Sequence, residues 1–189
     1  MLRTAVVFAL LAPAVAVPAA SASAAPRCPV GVWRLTGYEQ KAVSKVYDTA
    51  LLSRGLGGAK VKISAGGAFT YDFKNAAKVV TKGRTNGVPI AGTALYRRSL
   101  THKASWVGGR VIVKRATAKG TALLKTVQTK PERTTRVEKV APLVRTEQAT
   151  IVPNGSVSYT CAAGALHLKR TVKLDSQGGR EVTHWRFTR

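Results

Sequence analysis

From residue 30 onward hydrophobic and polar positions mostly alternate, the period of a strand that buries one face. Over 30–38, Gly31, Trp33 and Leu35 fall on one side, and Val32, Arg34 and Thr36 on the other. The pattern breaks over 40–54. There Ala42, Val43, Val46, Ala50 and Leu51 recur near helical spacing, and Gly55-Leu56-Gly57-Gly58 can end a helix. Alternation returns in the clearest hairpin of the chain, 60–64 and 68–73 around Ala65-Gly66-Gly67, with Phe69, Tyr71 and Phe73 sharing a face. The segment 74–87 reads as a flexible connection. Strands are then expected over 90–96, 100–107, 110–116, 121–128, 134–140, 147–152, 156–161, 165–174 and 180–188. Gly108-Gly109, Asn154-Gly155 and Gln177-Gly178-Gly179 supply turns between them.

Many short antiparallel strands in one domain favour closure over an open sheet, because closure removes exposed edges. The expected fold is therefore all-β: a single antiparallel up-and-down barrel of about 8–10 strands, with one short helix after the first strand. A β-sandwich, with Trp33 as an ordinary core aromatic, is the alternative.

The stretch before the first strand carries an address. Arg3 is a short positive region, 4–20 is almost wholly apolar, and Ala22-Ser23-Ala24 has the small residues of a signal-peptidase site. The expected division is a signal peptide over 1–24 and a barrel domain over 25–189. No span crosses a membrane in the mature chain, and its destination is extracellular. In an oxidising compartment Cys28 and Cys161, the two cysteines of the chain, most simply pair with each other. Two cysteines and three separated histidines do not compose a structural zinc site, and neither metal nor cofactor is expected.

Charge changes the picture most. The chain has 31 Lys+Arg against 8 Asp+Glu, a net charge of +23. Such a field attracts polyanions, so an anionic cell-wall polymer is a candidate partner and charge-driven wall association a candidate location. Aromatics make up only 6% of residues and do not interleave with the basic clusters, which disfavours nucleic acid.

Gly31-Val32-Trp33 at the head of the first strand resembles the G-x-W signature of the lipocalin and calycin barrels. The resemblance implies that Trp33 closes one end of the barrel beneath an arginine near the last strand. The chain ends Trp185-Arg186-Phe187-Thr188-Arg189, so Arg186 and Arg189 are both candidates, with alternation favouring Arg189.

A barrel of this size can hold one small molecule. Its cavity-facing candidates are Phe69, Tyr71, Phe73, Trp106, Val111, Val113 and Tyr159. Arg115 and Arg170 share the parity of their inward neighbours and could meet an acidic headgroup. The expected function is a secreted lipocalin-like binding protein for a small hydrophobic or acidic amphipathic molecule, with 40–54 as a lid. The second expectation is a basic extracellular interaction protein that docks on anionic wall polymer or a partner protein, including barrels of the protease-inhibitor type. No enzyme is expected. The chain lacks G-x-S-x-G, H-E-x-x-H and a phosphate-binding glycine loop, and its histidines, His102, His167 and His184, fall on separate strands.

Overall fold

A computed structural model describes residues 28–149, 151–153, 155–162 and 164–189. The signal-peptide reading and Asn154 of the Asn154-Gly155 turn lie outside the described residues. These residues form thirteen antiparallel strands: β1 Gly31–Ser44, β2 Thr49–Gly55, β3 Lys60–Ile63, β4 Ala68–Asp72, β5 Val79–Thr85, β6 Val88–Arg97, β7 Ser99–Val107, β8 Arg110–Gly120, β9 Leu123–Lys130, β10 Thr134–Lys139, β11 Ser156–Ala162, β12 Ala165–Lys173 and β13 Arg180–Thr188. One helix, α1 Val140–Arg145, follows β10.

Eight of these strands close a barrel. In spatial sequence they run β1, β3, β4, β7, β8, β11, β12 and β13, and β13 returns to β1. Chain order is kept around the wall, so the barrel is up-and-down. The remaining strands are excursions from it: β2 between β1 and β3, β5–β6 between β4 and β7, and β9–β10 between β8 and β11. They pair in the order β2-β5-β6-β9-β10 and extend the sheet beyond the barrel as a wing.

Strand β1 joins the two parts. Its first residues, Gly31 to Arg34, pair with β3 in the barrel wall, whereas Tyr38 to Ser44 pair with β2 in the wing. The helix expected over 40–54 is therefore replaced by the second half of β1 and by β2. Ala42 and Ser44 are buried while Val43 and Val46 are exposed, so the apolar residues of this segment never share one helical face. Nine residue pairs with β13 hold the strand, and tertiary pairing of this extent overrides local spacing.

Two further expectations are corrected. The segment 74–87, expected to be flexible, contains β5, and the described residues of 147–152 form no strand. Ala149, Ile151, Val152 and Pro153 are instead buried in a plug, in which Trp185 Nε1 donates to the Ile151 carbonyl at 2.6 Å. Helix α1 was missed because six residues are too few to display a period. Its Val140, Ala141 and Val144 are buried in the same core.

Candidate functional site

The barrel interior holds the residues expected to face it. Phe69, Tyr71, Phe73 and Val111 are fully buried and Val113 nearly so. Phe69, Tyr71 and Phe73 stack in series at 5.8 to 6.4 Å. Trp106 and Tyr159 are partly buried, meet edge-on at 4.8 Å, and extend the stack from Phe69. These side chains pack against Leu35, Leu100, Leu166 and Leu168, so the interior is filled.

Both ends are covered. At one, Trp33 lies under the guanidinium of Arg189, 4.7 Å above its ring, and its indole N–H donates to Pro29. Arg189 in turn donates to the carbonyls of Cys28 and Val30 at 3.0 Å. Gly31 stands at φ +142°, where any side chain would be strained, and the Arg189 guanidinium lies 3.6 Å from the place a Cβ would take. The Cys28–Cys161 disulfide ties this end to β11. At the other end Ile151 of the plug accepts the Trp185 indole N–H, and α1 packs against β8.

The two arginines expected inside have partners of their own. At Arg115 the β7–β8 register slips, with Thr101 opposite Lys119 but Lys103 opposite Lys114. The kink carries Arg115 out of the wall into an ion pair with Glu147. Arg170 does keep inward parity, and it pairs with Glu181 at 3.8 Å in a largely buried setting. Arg186 takes no part in closure. It points outward, exposed, on the opposite face of β13 from Trp185 and Phe187.

Two polar atoms inside the barrel have no hydrogen-bond partner among the described residues, the Tyr71 hydroxyl and His102 Nε2. Their rings are 5.6 Å apart. Burial pushes the Tyr71 phenol well above its ordinary range and His102 down to about 4. Both groups are therefore neutral near pH 7.

The outer face of the same sheet has the opposite character. Register aligns Lys41 and Val43 of β1, Arg180, Val182 and His184 of β13, and Lys169 and Lys173 of β12 on one side. Lys82 and Arg84 of β5 and Arg54 of β2 continue it into the wing. A groove of about 540 Å³ runs here, lined by Glu39, Lys41, Lys45, Arg180, His184 and the Gln177–Gly179 turn. Asp175 builds its rim. It accepts the Ser44 hydroxyl at 2.5 Å and the Gln177 and Gly179 amides at 2.8 Å, which fastens the β12–β13 turn to the end of β1. The acids on this face are engaged, Glu39 by Arg54 and Asp48 by Arg84. Lys41, Lys45, Lys169, Arg180 and Arg186 have no carboxylate within 4 Å among the described residues.

A histidine pair lies in this cationic field. His167 Nε2 and His184 Nδ1 are 2.9 Å apart across β12 and β13, with rings nearly parallel. One nitrogen must donate and the other accept, so the contact needs at least one unprotonated ring. Burial first, then His184 at His167, and then the Arg186 and Lys169 charges at both, hold the imidazoles below the usual histidine range, while Glu39 partly opposes this at His184. Sequence spacing gave no sign of the pair. The signal was register alone: Lys169 opposite His184 and His167 opposite Arg186 make the two histidines diagonal neighbours.

No helix among the described residues is long and apolar enough to cross a membrane. No protein-family model, curated protein or solved structure matches this chain.

Proposed function

We propose that this chain is an exported, lipocalin-like barrel that docks through its basic outer face on an anionic polymer outside the cell, of the phosphate- or carboxylate-bearing kind found in cell walls. The observation that carries this reading is the row of cations without carboxylate partners along one face of β1, β13 and β12. Strands hold these charges in register, so little order is lost when a polymer lies across them. The filled barrel interior speaks for the surface over the cavity as the binding element. The disulfide suits an oxidising compartment.

Polyphosphate serves as the probe. Affinity is expected to fall linearly on a log–log plot against salt, since each neutralised phosphate releases counterions. Lys41→Glu with Arg180→Glu should weaken binding about tenfold at about 0.15 M salt. The same change at Lys103 and Lys114, neighbours across β7 and β8 on the far wall of the barrel, should have little effect. Equal losses from both pairs would mean that net charge alone attracts the polymer. Saturable binding of a small amphipathic acid that persists at high salt would instead favour the barrel cavity.

The histidine pair adds a pH dependence. Charging either ring brings another cation to the face, and a bound polyanion favours that proton. Affinity should therefore rise several-fold as pH falls from 7.5 to 5.5, roughly fivefold on the strength of one to two added charges. The groups facing the pair are Glu39 on β1, Lys169 on β12, Arg186 on β13, and Ser158 and Thr160 on β11. Replacing both histidines by glutamine should flatten the profile, and an unchanged profile would show that the pair is not its source.

A further inference from the structure

β10 is the outer strand of the wing. Among the described residues its one partner is β9, which leaves its other edge open. All six residues from Thr134 to Lys139 are exposed, and Val137, at 62%, is the most exposed large hydrophobic among the described residues. An open edge presents backbone N–H and C=O groups that can template a further strand.

We propose that the strand it accepts is β10 of a second copy of this chain, antiparallel about a two-fold axis through Val137. Arg136 and Glu138 lie on one face of β10, opposite Thr126 and Leu124 of β9. A two-fold axis perpendicular to the sheet keeps faces matched, so each register of the pair is centred on one residue. Centred on Val137, Arg136 of each copy lies opposite Glu138 of the other, giving two opposite-charge pairs. Thr135 meets Lys139, and Val137 meets its own counterpart. Centred on Arg136 the strands would place arginine against arginine, and centred on Glu138 glutamate against glutamate. Centred on Thr135 they would oppose Glu132 and Glu138. Opposite charges directly across a strand pair stabilise it, and like charges destabilise it. One register of self-pairing is therefore favoured. An acidic peptide would be repelled by Glu138 and a basic one by Arg136. The two five-stranded wings would join as one ten-stranded sheet. This proposal does not depend on the anionic-polymer reading.

So short a strand makes a weak dimer, and the +23 charge of each chain opposes it at low salt. Sedimentation over a range of concentrations at about 0.15 M salt, where screening acts within about 8 Å, is the suitable measurement. Dimer is expected to appear as concentration rises. Arg136→Glu and Glu138→Arg should each weaken it about tenfold, and the double variant should restore it. Mixing the two single variants should also restore association, because each supplies the charges that the other lacks. β10 is exposed throughout, so circular dichroism and melting of all variants should match the parent. A chain that stays monomeric to millimolar concentration would overturn the proposal. So would single reversals without effect, a double variant that fails to recover, or an edge that takes up an acidic peptide but not its own copy.

Discussion

Replacing Cys28 and Cys161 together by alanine should lower the free energy of unfolding by up to about 5 kcal/mol, the largest single loss expected for this chain. The bridge spans 133 residues of sequence. In the chain-entropy account, a loop of that length removes much of the freedom of the unfolded state. The value is a ceiling, because residual structure in the unfolded chain reduces it. The native geometry gives the bridge a second effect. Cys28 precedes β1 and Cys161 lies on β11, with β13 and β12 between them in the wall. The bond therefore clasps the barrel end across three strand pairs, beside the carbonyls that hold Arg189 over Trp33. Chemical denaturation of the double variant, and of reduced parent protein, measures the loss. A drop below about 1 kcal/mol in both would mean that Trp33, Arg189 and the ladders of β1 close the barrel without it.

Much of this architecture was legible because each barrel strand must bury alternate residues. The 60–64 and 68–73 hairpin, with Phe69, Tyr71 and Phe73 on one face, needs no knowledge of its neighbours, and the structure forms it as β3 and β4. Local pattern could not say which strands leave the barrel. β2, β5, β6 and β9 alternate weakly, because the more sheltered face of the wing carries small polar residues and the contrasts are small: Ser53 against Leu52, Thr81 against Val80. A helical reading of 40–54 arises from the same low contrast. Functional side chains divide in the same way. Trp33 stands out within a short motif at a strand start, whereas the outer cationic face is composed of single residues from five strands. Lys41, Lys169 and Arg180 are ordinary surface residues until register sets them side by side. Arg115 shows the converse failure. Parity put it inside, and a three-residue slip against β7 carried it out to Glu147.

Acidification from about pH 6.5 to about pH 4 should destabilise the fold by roughly 3 kcal/mol through His102 alone. The ring is fully buried on β7, stacked on Phe69 at 5.2 Å, and burial holds it down to about 4. Only a long contact of 3.4 Å to the Lys103 carbonyl opposes that shift, and Nε2 has no partner among the described residues. In the unfolded chain the same imidazole protonates near 6.5. Between these values the unfolded state binds a proton that the folded state refuses, so stability rises with pH across the window and falls as pH drops through it. Below about 4 both states are protonated and this contribution is flat. The eight acids of the chain leave little room for carboxylates to mask the slope. His167 and His184 act in the same direction, but they are more exposed and solvent weakens their share. His102→Phe keeps a flat ring against Phe69 and removes the titrating group. It should flatten most of the dependence of unfolding free energy on pH between 6.5 and 4, leaving the smaller slope of the outer pair. An unchanged slope in that variant, or an NMR titration of His102 near 6.5, would show that the folded barrel admits the proton.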